Sequence, residues 1–292
     1  MMYPMVVPHN KPDAVGLIFP NANLMGSPAL AFRILDEAAW TSSAVAKDFK
    51  KKYPNDIGDP KKQTEVRVTY DNENLYFAFK VHDSGTAIIK GLKRDIGHDG
   101  NDGVGIILDP QNRKTNGFYF VVNALNVQSE DQLSNNFEDG PSWSWDSKWF
   151  SATKDYGNFW VAEIMIPLKS IRYDPKQLYW GINFVRIDAK NNEYSAWTKV
   201  PVNFRSYDLG YLGLLNWPEN GAPATSKNII FLPYVTGNST EDKENGKSLN
   251  SNGNAGFDAK VAINASLNLD LTVNPDFSQV EVDQQVTNLT RF

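Results

Sequence analysis

The sequence predicts an all-β protein: an antiparallel β-sandwich of jelly-roll type, with a short N-terminal helix and a partial β segment at its C-terminal end. Three observations lead there. Apolar residues alternate with period two through much of Thr64 to Leu215, the pattern of half-buried strands. Clusters of Gly, Pro, Asn and Asp separate these runs, as in sandwiches and barrels. No long amphipathic helix interrupts the series, which argues against a parallel α/β sheet. The composition agrees. With 41% hydrophobic and 22% charged residues in 292, the chain can build a core and is not disordered along its length.

The elements follow in order. Residues 1–34 carry five prolines and read as an irregular lead-in. The apolar patch Ala14 to Phe19 and the later Ala29, Leu30 and Ala31 have the outline of a signal-cleavage region. Pro20, Asn21 and Asn23 interrupt it and no basic cluster precedes it, so it is not read as a signal peptide. Leu35 to Trp40 reads as one helical turn that Asp36 can cap. Lys50 to Lys62 reads as a polar loop punctuated by Pro54, Gly58 and Pro60. Val66, Val68 and Tyr70 then share one strand face, and Leu75, Phe77, Phe79 and Val81 share the next, with Asp71 to Asn74 as a four-residue hairpin loop. Val104, Ile106 and Leu108 alternate in a further strand, and Phe118, Phe120 and Val122 in another. Phe159 to Ile166, Tyr179 to Ile187 and Tyr194 to Lys199 read the same way. The sandwich is placed at residues 35–217. Residues 218–292 comprise a linker, Pro218 to Lys227, and a further β region. That region has a strand at Asn228 to Val235, a polar stretch from Gly237 to Gly256, and alternation again from Val261 to Leu271. It stops at Phe292 with no terminal structure, so the chain reads as a fragment.

Several functions are disfavoured. The net charge is −5 and the one basic run is Lys50 to Lys52, which gives nucleic acid no concentrated basic face. Zero cysteines rule out disulfides, thiolate zinc sites and a cysteine nucleophile. His9, His82 and His98 show no metal-ligand spacing, and no nucleophile-elbow or phosphate-cradling glycine loop is present. A glycosidase needs two carboxylates across one cleft. None of the 34 acids stands out as such a pair.

Four stretches carry a family resemblance: TEVRVTYDNENLYF (Thr64 to Phe77), DGVGIILD (Asp102 to Asp109), WVAEIMIP (Trp160 to Pro167) and YWGINF (Tyr179 to Phe184). Together they make residues Leu35 to Leu215 resemble the family 9 carbohydrate-binding modules. The tail, Leu267 to Glu281 and Val286 to Phe292, resembles the junction at which such a module precedes a β-barrel in large bacterial outer-membrane proteins. The resemblance implies a non-catalytic domain that binds a glycan, commonly with structural calcium, at the outer membrane or in the periplasm and associated with carbohydrate catabolism. Membrane attachment would come through a barrel of which residues 218–292 hold only the start. The resemblance also implies two tryptophans gripping the sugar. The loop before Asp102 instead reads Gly97 to Asn101, and the loop after Trp197 offers Phe204 to Tyr207, so the fold is carried over better than the ligand. The alternatives are a docking domain without sugar binding and a glycan-acting hydrolase.

The candidate ligand residues are Trp143, Trp145, Trp197, Arg186, Asn123 and Tyr207. Trp143 and Trp145 point to one side if extended and could stack on a sugar. The competing reading makes them core caps, since large aromatics contribute mainly by burial. Asp95, Asp99 and Asp102 lie in an acidic, Gly-punctuated loop of the kind that could offer oxygens to calcium. An ordinary solvated turn reads equally well. Glu163 and Arg186 both fall on strand patterns expected to bury them, and buried charges need partners. They are expected to pair with one another or to be two separately satisfied polar groups, with Arg186 at a ligand oxygen as the sharper alternative.

Overall fold

A computed structural model describes residues 16–18, 40, 43–96, 100–134, 145–224, 229–242, 247–264 and 267–274. The chain divides into two units, Met1–Thr225 and Ser226–Phe292. The first is a sandwich of two sheets. The smaller sheet has the order β2 (Ala44–Ala46), β4 (Thr64–Tyr70), β5 (Asn74–His82), β10 (Phe159–Pro167) and β9 (Phe150–Asp155). The larger has eight strands. Its main path is β1 (Gly16–Ile18), β13 (Gly213–Asn216), β11 (Tyr179–Asp188), β6 (Gly103–Asp109), β7 (Asn116–Asn123) and β8 (Gln128–Ser134). Beside it, β12 (Glu193–Ala196) pairs with β11, and β3 (Lys50–Tyr53) with β12. All pairings in this unit are antiparallel except β1 with β13. The all-β antiparallel sandwich is therefore present.

The predicted alternation is the packing pattern. Val66, Val68, Leu75, Phe77, Phe79, Val81, Val104, Ile106, Leu108, Phe118, Phe120 and Val122 all enter one core between the sheets. The predicted hairpin loop stands too: Tyr70 pairs with Leu75 across it, and Asp71 Oδ1 accepts from the N–H groups of Glu73 and Asn74. Phe184 meets Phe77, Phe79 and Trp197 at 5.7–6.0 Å between ring centres. Trp180 meets Tyr173 and Trp217 at 4.9 Å. Such pairs each add roughly 0.5–1.5 kcal/mol beyond area burial.

Some expectations need correction. Gly16–Ile18, inside the irregular lead-in, forms the parallel edge strand β1. Lys50–Tyr53, read as loop, forms β3. The strand expected through Lys199 ends at Ala196. The predicted helical turn at Leu35 to Ala39, with its Asp36 cap, lies outside the described residues. The expected linker from Pro218 is in part packed core: Ala222 is buried, its N–H donates to Pro175 O, and Gly221 has φ +78°. A Cβ on Gly221 would lie 2.0 Å from Pro175 O, so only glycine allows this approach. β8 was missed because it reads as polar. Ser129, Glu130 and Asp131 are all buried in it.

A second core lies on the outer side of the larger sheet. There Ile107, Tyr119, Val121, Leu133, Val185 and Ile187 are covered by the segment after β12, through Val200 and Leu209. Glycines make the fit possible. A Cβ on Gly105 would lie 2.7 Å from the Tyr119 ring, and one on Gly117 would lie 2.8 Å from Leu209 Cδ2.

The second unit is an antiparallel meander of β14 (Ile229–Asp242), β15 (Lys247–Asn264) and β16 (Leu267–Val273). Its register sorts the described side chains into two faces. Phe231, Pro233 and Val235 share one with Ala255, Phe257, Ala259 and Val261, and with Leu269, Leu271 and Val273. Tyr234, Thr236, Asn254, Asp258, Lys260, Asp270 and Thr272 belong to the other, with Leu232. On the apolar face Phe231, Val235, Leu269, Leu271 and Val273 are exposed, Val235 by 83%.

Candidate functional site

The strand register divides the sequence-predicted residues between the two faces of the larger sheet. On β11, Trp180, Ile182, Phe184 and Arg186 face inward, while Val185 and Ile187 face outward. On β7, Phe118, Phe120 and Val122 face inward and Tyr119, Val121 and Asn123 face outward.

Trp197 goes to the interior. It is 4% exposed and packs on Phe184, so it is a core residue and not a sugar platform. Trp145 is partly buried against the same core, 5.2 Å from Phe118 and 6.0 Å from Phe120. This matches its core-cap reading. Trp143 lies outside the described residues.

Arg186 is also internal, 3% exposed. Its expected partner was Glu163, but Glu163 stands on the smaller sheet, on the face opposite Ala162 and Ile164, which enter the core. The partners are Asp83 and Asp188, each 3.4 Å from Arg186 Nη2. Nη1 donates to the carbonyls of His82 (3.0 Å) and Lys62 (3.3 Å). The pairing was mispredicted because alternation gives the face of a strand and not which strand end it meets across the sandwich.

Asp83 and Asp188 form a buried group with Asp102, their carboxylate oxygens lying within 4.8 Å of one another. Burial would raise the Asp83 carboxyl. The hydrogen bonds from Lys62 and the Ser84 N–H, with the charges of Lys62 and Arg186, outweigh it and hold the group below the ordinary carboxylate range. Burial pulls Arg186 below its ordinary value against the opposing pull of Asp188, Asp83, Asp102 and Glu193. Asp102 was singled out in the sequence, whereas Asp83 and Asp188 were not. One signal was present: Arg186 and Asp188, two apart on a strand, share a face.

The expected acidic loop is split. Asp99 lies outside the described residues. Asp102 turns into the group just described. Asp95 sits beside Arg94 (3.6 Å), which also reaches Gln128, Asp146 and the fully buried Glu130. Burial raises both Asp95 and Glu130.

The outer face carries the other two predicted residues, at separate positions. Asn123, itself buried, borders a small, partly enclosed depression with Ile96, Asn101, Gly103, Val121 and Ser129. Its Oδ1 accepts from the N–H groups of Leu125 and Val127 and so shapes the β7–β8 turn. Tyr207 packs on Tyr119, 5.5 Å between ring centres, with Arg205 donating to its hydroxyl at 2.7 Å. β7 presents Tyr119, Val121 and Asn123 on this face, so Tyr207, packed on Tyr119, and the pocket at Asn123 stand on the same side of the sheet, with Tyr119 and Asn123 four residues apart along the strand. Phe204 on Tyr211 and Tyr53 on Tyr194 add further aromatic pairs to this side.

A two-sheet antiparallel sandwich with an internally paired charge group and an aromatic-bearing outer face defines a β-sandwich binding module. The chain belongs to the carbohydrate family 9 binding domain-like family, whose model matches residues 34–201. Residues 225–292 match a domain of unknown function, DUF5916. No curated protein matches the chain. Among solved structures, a family 9 carbohydrate-binding module from Caldicellulosiruptor kristjanssonii in complex with glucose is 12% identical, with TM-score 0.49 over 70% of this chain and 95% of that one. The same organism's module with cellotriose is 13% identical, with TM-score 0.47 over 69% and 92%. A protein from Bacteroides uniformis, proposed to bind carbohydrate, is 11% identical, with TM-score 0.50 over 61% and 88%. This last likeness bears on the fold alone.

Proposed function

We propose that the sandwich is a non-catalytic module that binds a glycan on the outer face of its larger sheet, at Tyr207 and the depression bordered by Asn123. The observation that carries this reading is that one face of a carbohydrate-binding family fold carries both an aromatic ring, Tyr207, and a polar-rimmed pocket at Asn123. Sugar recognition combines stacking on an aromatic ring with a few placed polar groups. The buried carboxylates support the non-catalytic part, because Asp83 and Asp188 are engaged by cationic side chains and do not flank an open cleft as a hydrolytic pair must.

Binding of the chain to an oligosaccharide array, followed by calorimetry, tests the proposal. Tyr207→Ala is expected to lower affinity about tenfold, which is about 1.4 kcal/mol, measured at a temperature where the variant is folded, since losing the ring packed on Tyr119 also lowers Tm. Asn123→Asp keeps the acceptor that shapes the turn and removes the amide donor, so it should weaken binding while the fold persists. Failure of the parent chain to bind any glycan would favour the docking-domain alternative. Release of product from a labelled polysaccharide would favour the hydrolase.

The second unit supports a further part of the proposal, that it opens a β-barrel in a bacterial outer membrane. Transmembrane barrel strands alternate a lipid-facing apolar set with a lumen-facing polar set. β14, β15 and β16 alternate in that way, with the apolar set exposed.

A further inference from the structure

Calcium, which the family resemblance implies as a structural ion, has one candidate seat among the described residues, the group of Asp83, Asp102 and Asp188. It fits poorly there. A calcium ion needs about six to eight oxygen ligands at about 2.3–2.6 Å, and every oxygen of this group already accepts a hydrogen bond. Asp83 Oδ1 takes Lys62 Nζ, the Ser84 N–H at 2.7 Å and Lys190 Nζ at 3.3 Å. Asp83 Oδ2 takes Arg186 Nη2. Asp102 Oδ1 takes the Ala189 N–H at 2.8 Å, and Oδ2 the Ile88 N–H at 2.6 Å. Asp188 Oδ1 takes the Asn191 N–H at 3.1 Å, and Oδ2 takes Arg186 Nη2 and the Asn191 side-chain amide.

The charges oppose a metal as well. Arg186 Nη2 stands equidistant from Asp83 and Asp188, in the bay between two carboxylates that a cation would need to enter. Lys62 and Lys190 close Asp83 from its other side. Glu193, whose charge also acts on Arg186, accepts from the Lys61 N–H. A divalent ion would face three fixed positive charges at short range.

We infer that Lys62, Arg186 and Lys190 are the resident counter-ions of this carboxylate group, doing in this chain what a structural calcium would do. The group lies where a cation is most useful to the fold. Lys62 precedes β4 and Asp83 follows β5, both in the smaller sheet. Asp102 precedes β6, and Arg186 and Asp188 end β11, in the larger. The ion network ties the two sheets together at one end of the sandwich. A compensated buried network tolerates no missing partner, since removal of one side leaves the other charge buried and unpaired.

The test is thermal unfolding of the intact chain by tryptophan fluorescence, in chelator, in millimolar calcium and in millimolar magnesium, with metal content measured by plasma mass spectrometry. The three Tm values should coincide, and no stoichiometric calcium should copurify. The Lys62→Met/Lys190→Met double variant should lose on the order of 5–10 °C in Tm, and Lys62→Arg, which keeps the charge, should hold the parental value. If the double variant fails to fold, Lys62→Met alone should show a smaller loss in the same direction. A chain that carries calcium, or whose Tm rises with calcium and falls with chelator, overturns the inference. So does a Lys62→Met/Lys190→Met variant as stable as its parent.

Discussion

Arg186→Met keeps the unbranched apolar stem of the side chain and removes the buried guanidinium. In the native structure it removes the bonds to Asp83 and Asp188 and two donors to the carbonyls of Lys62 and His82. Breaking a buried ion pair from one side costs roughly 3–5 kcal/mol. The lower end applies here, because Asp83 retains Lys62, Lys190 and the Ser84 N–H, and Asp188 retains Asn191. A loss of about 3 kcal/mol corresponds to a Tm lower by about 6–12 °C for a unit of this size. All eight tryptophans precede Ser226, so tryptophan fluorescence during urea unfolding reports the sandwich alone. The midpoint should fall with the slope unchanged, and glycan affinity should match the parent under conditions where the variant is folded. A variant of parental stability that has lost glycan binding would refute the argument and restore Arg186 as a ligand contact.

Other outcomes follow from the same structure. Gly117→Ala places a Cβ 2.7 Å from the Leu108 carbonyl, which cannot move aside. It should cost about 1–3 kcal/mol, read as a lower urea midpoint. The Asp83 carboxyl is held below its unfolded value, so its contribution is complete above that value and is lost as pH falls through the folded one. The stability gap between parent and Asp83→Asn should therefore narrow below about pH 4, measured as Tm against pH. In the barrel proposal Val235→Arg puts a charge on the lipid face, at a cost of up to about 2–4 kcal/mol near the bilayer midplane, whereas Thr236→Arg faces the lumen. Outer-membrane assembly of the full-length protein should fall for the first and persist for the second. Equal assembly of both would count against a lipid-facing role.

Which residues face the core is legible from the local pattern of the chain. Period-two alternation places Leu75, Phe77, Phe79 and Val81 on one side of a strand whatever lies beyond it, because the pleat alternates side chains geometrically. The hairpin at Asp71 to Asn74 was legible for the same local reason. Which faces meet depends on how the two sheets close on one another. Trp197 and Arg186 carry chemistry suited to a ligand site, yet the closing of the second sheet buries both. Asp83, Asp102 and Asp188 span 105 residues of sequence, 188 less 83, a separation no local rule reaches; they become one group because the end of β5, the start of β6 and the end of β11 meet. β8 is not legible in the sequence because its buried run Ser129 to Asp131 is polar, with the charge of Glu130 compensated by a cation distant in sequence. That compensation comes from Arg94, more than thirty residues earlier in the chain. Alternation is a property of a strand, whereas a charge network is a property of the assembled sheets.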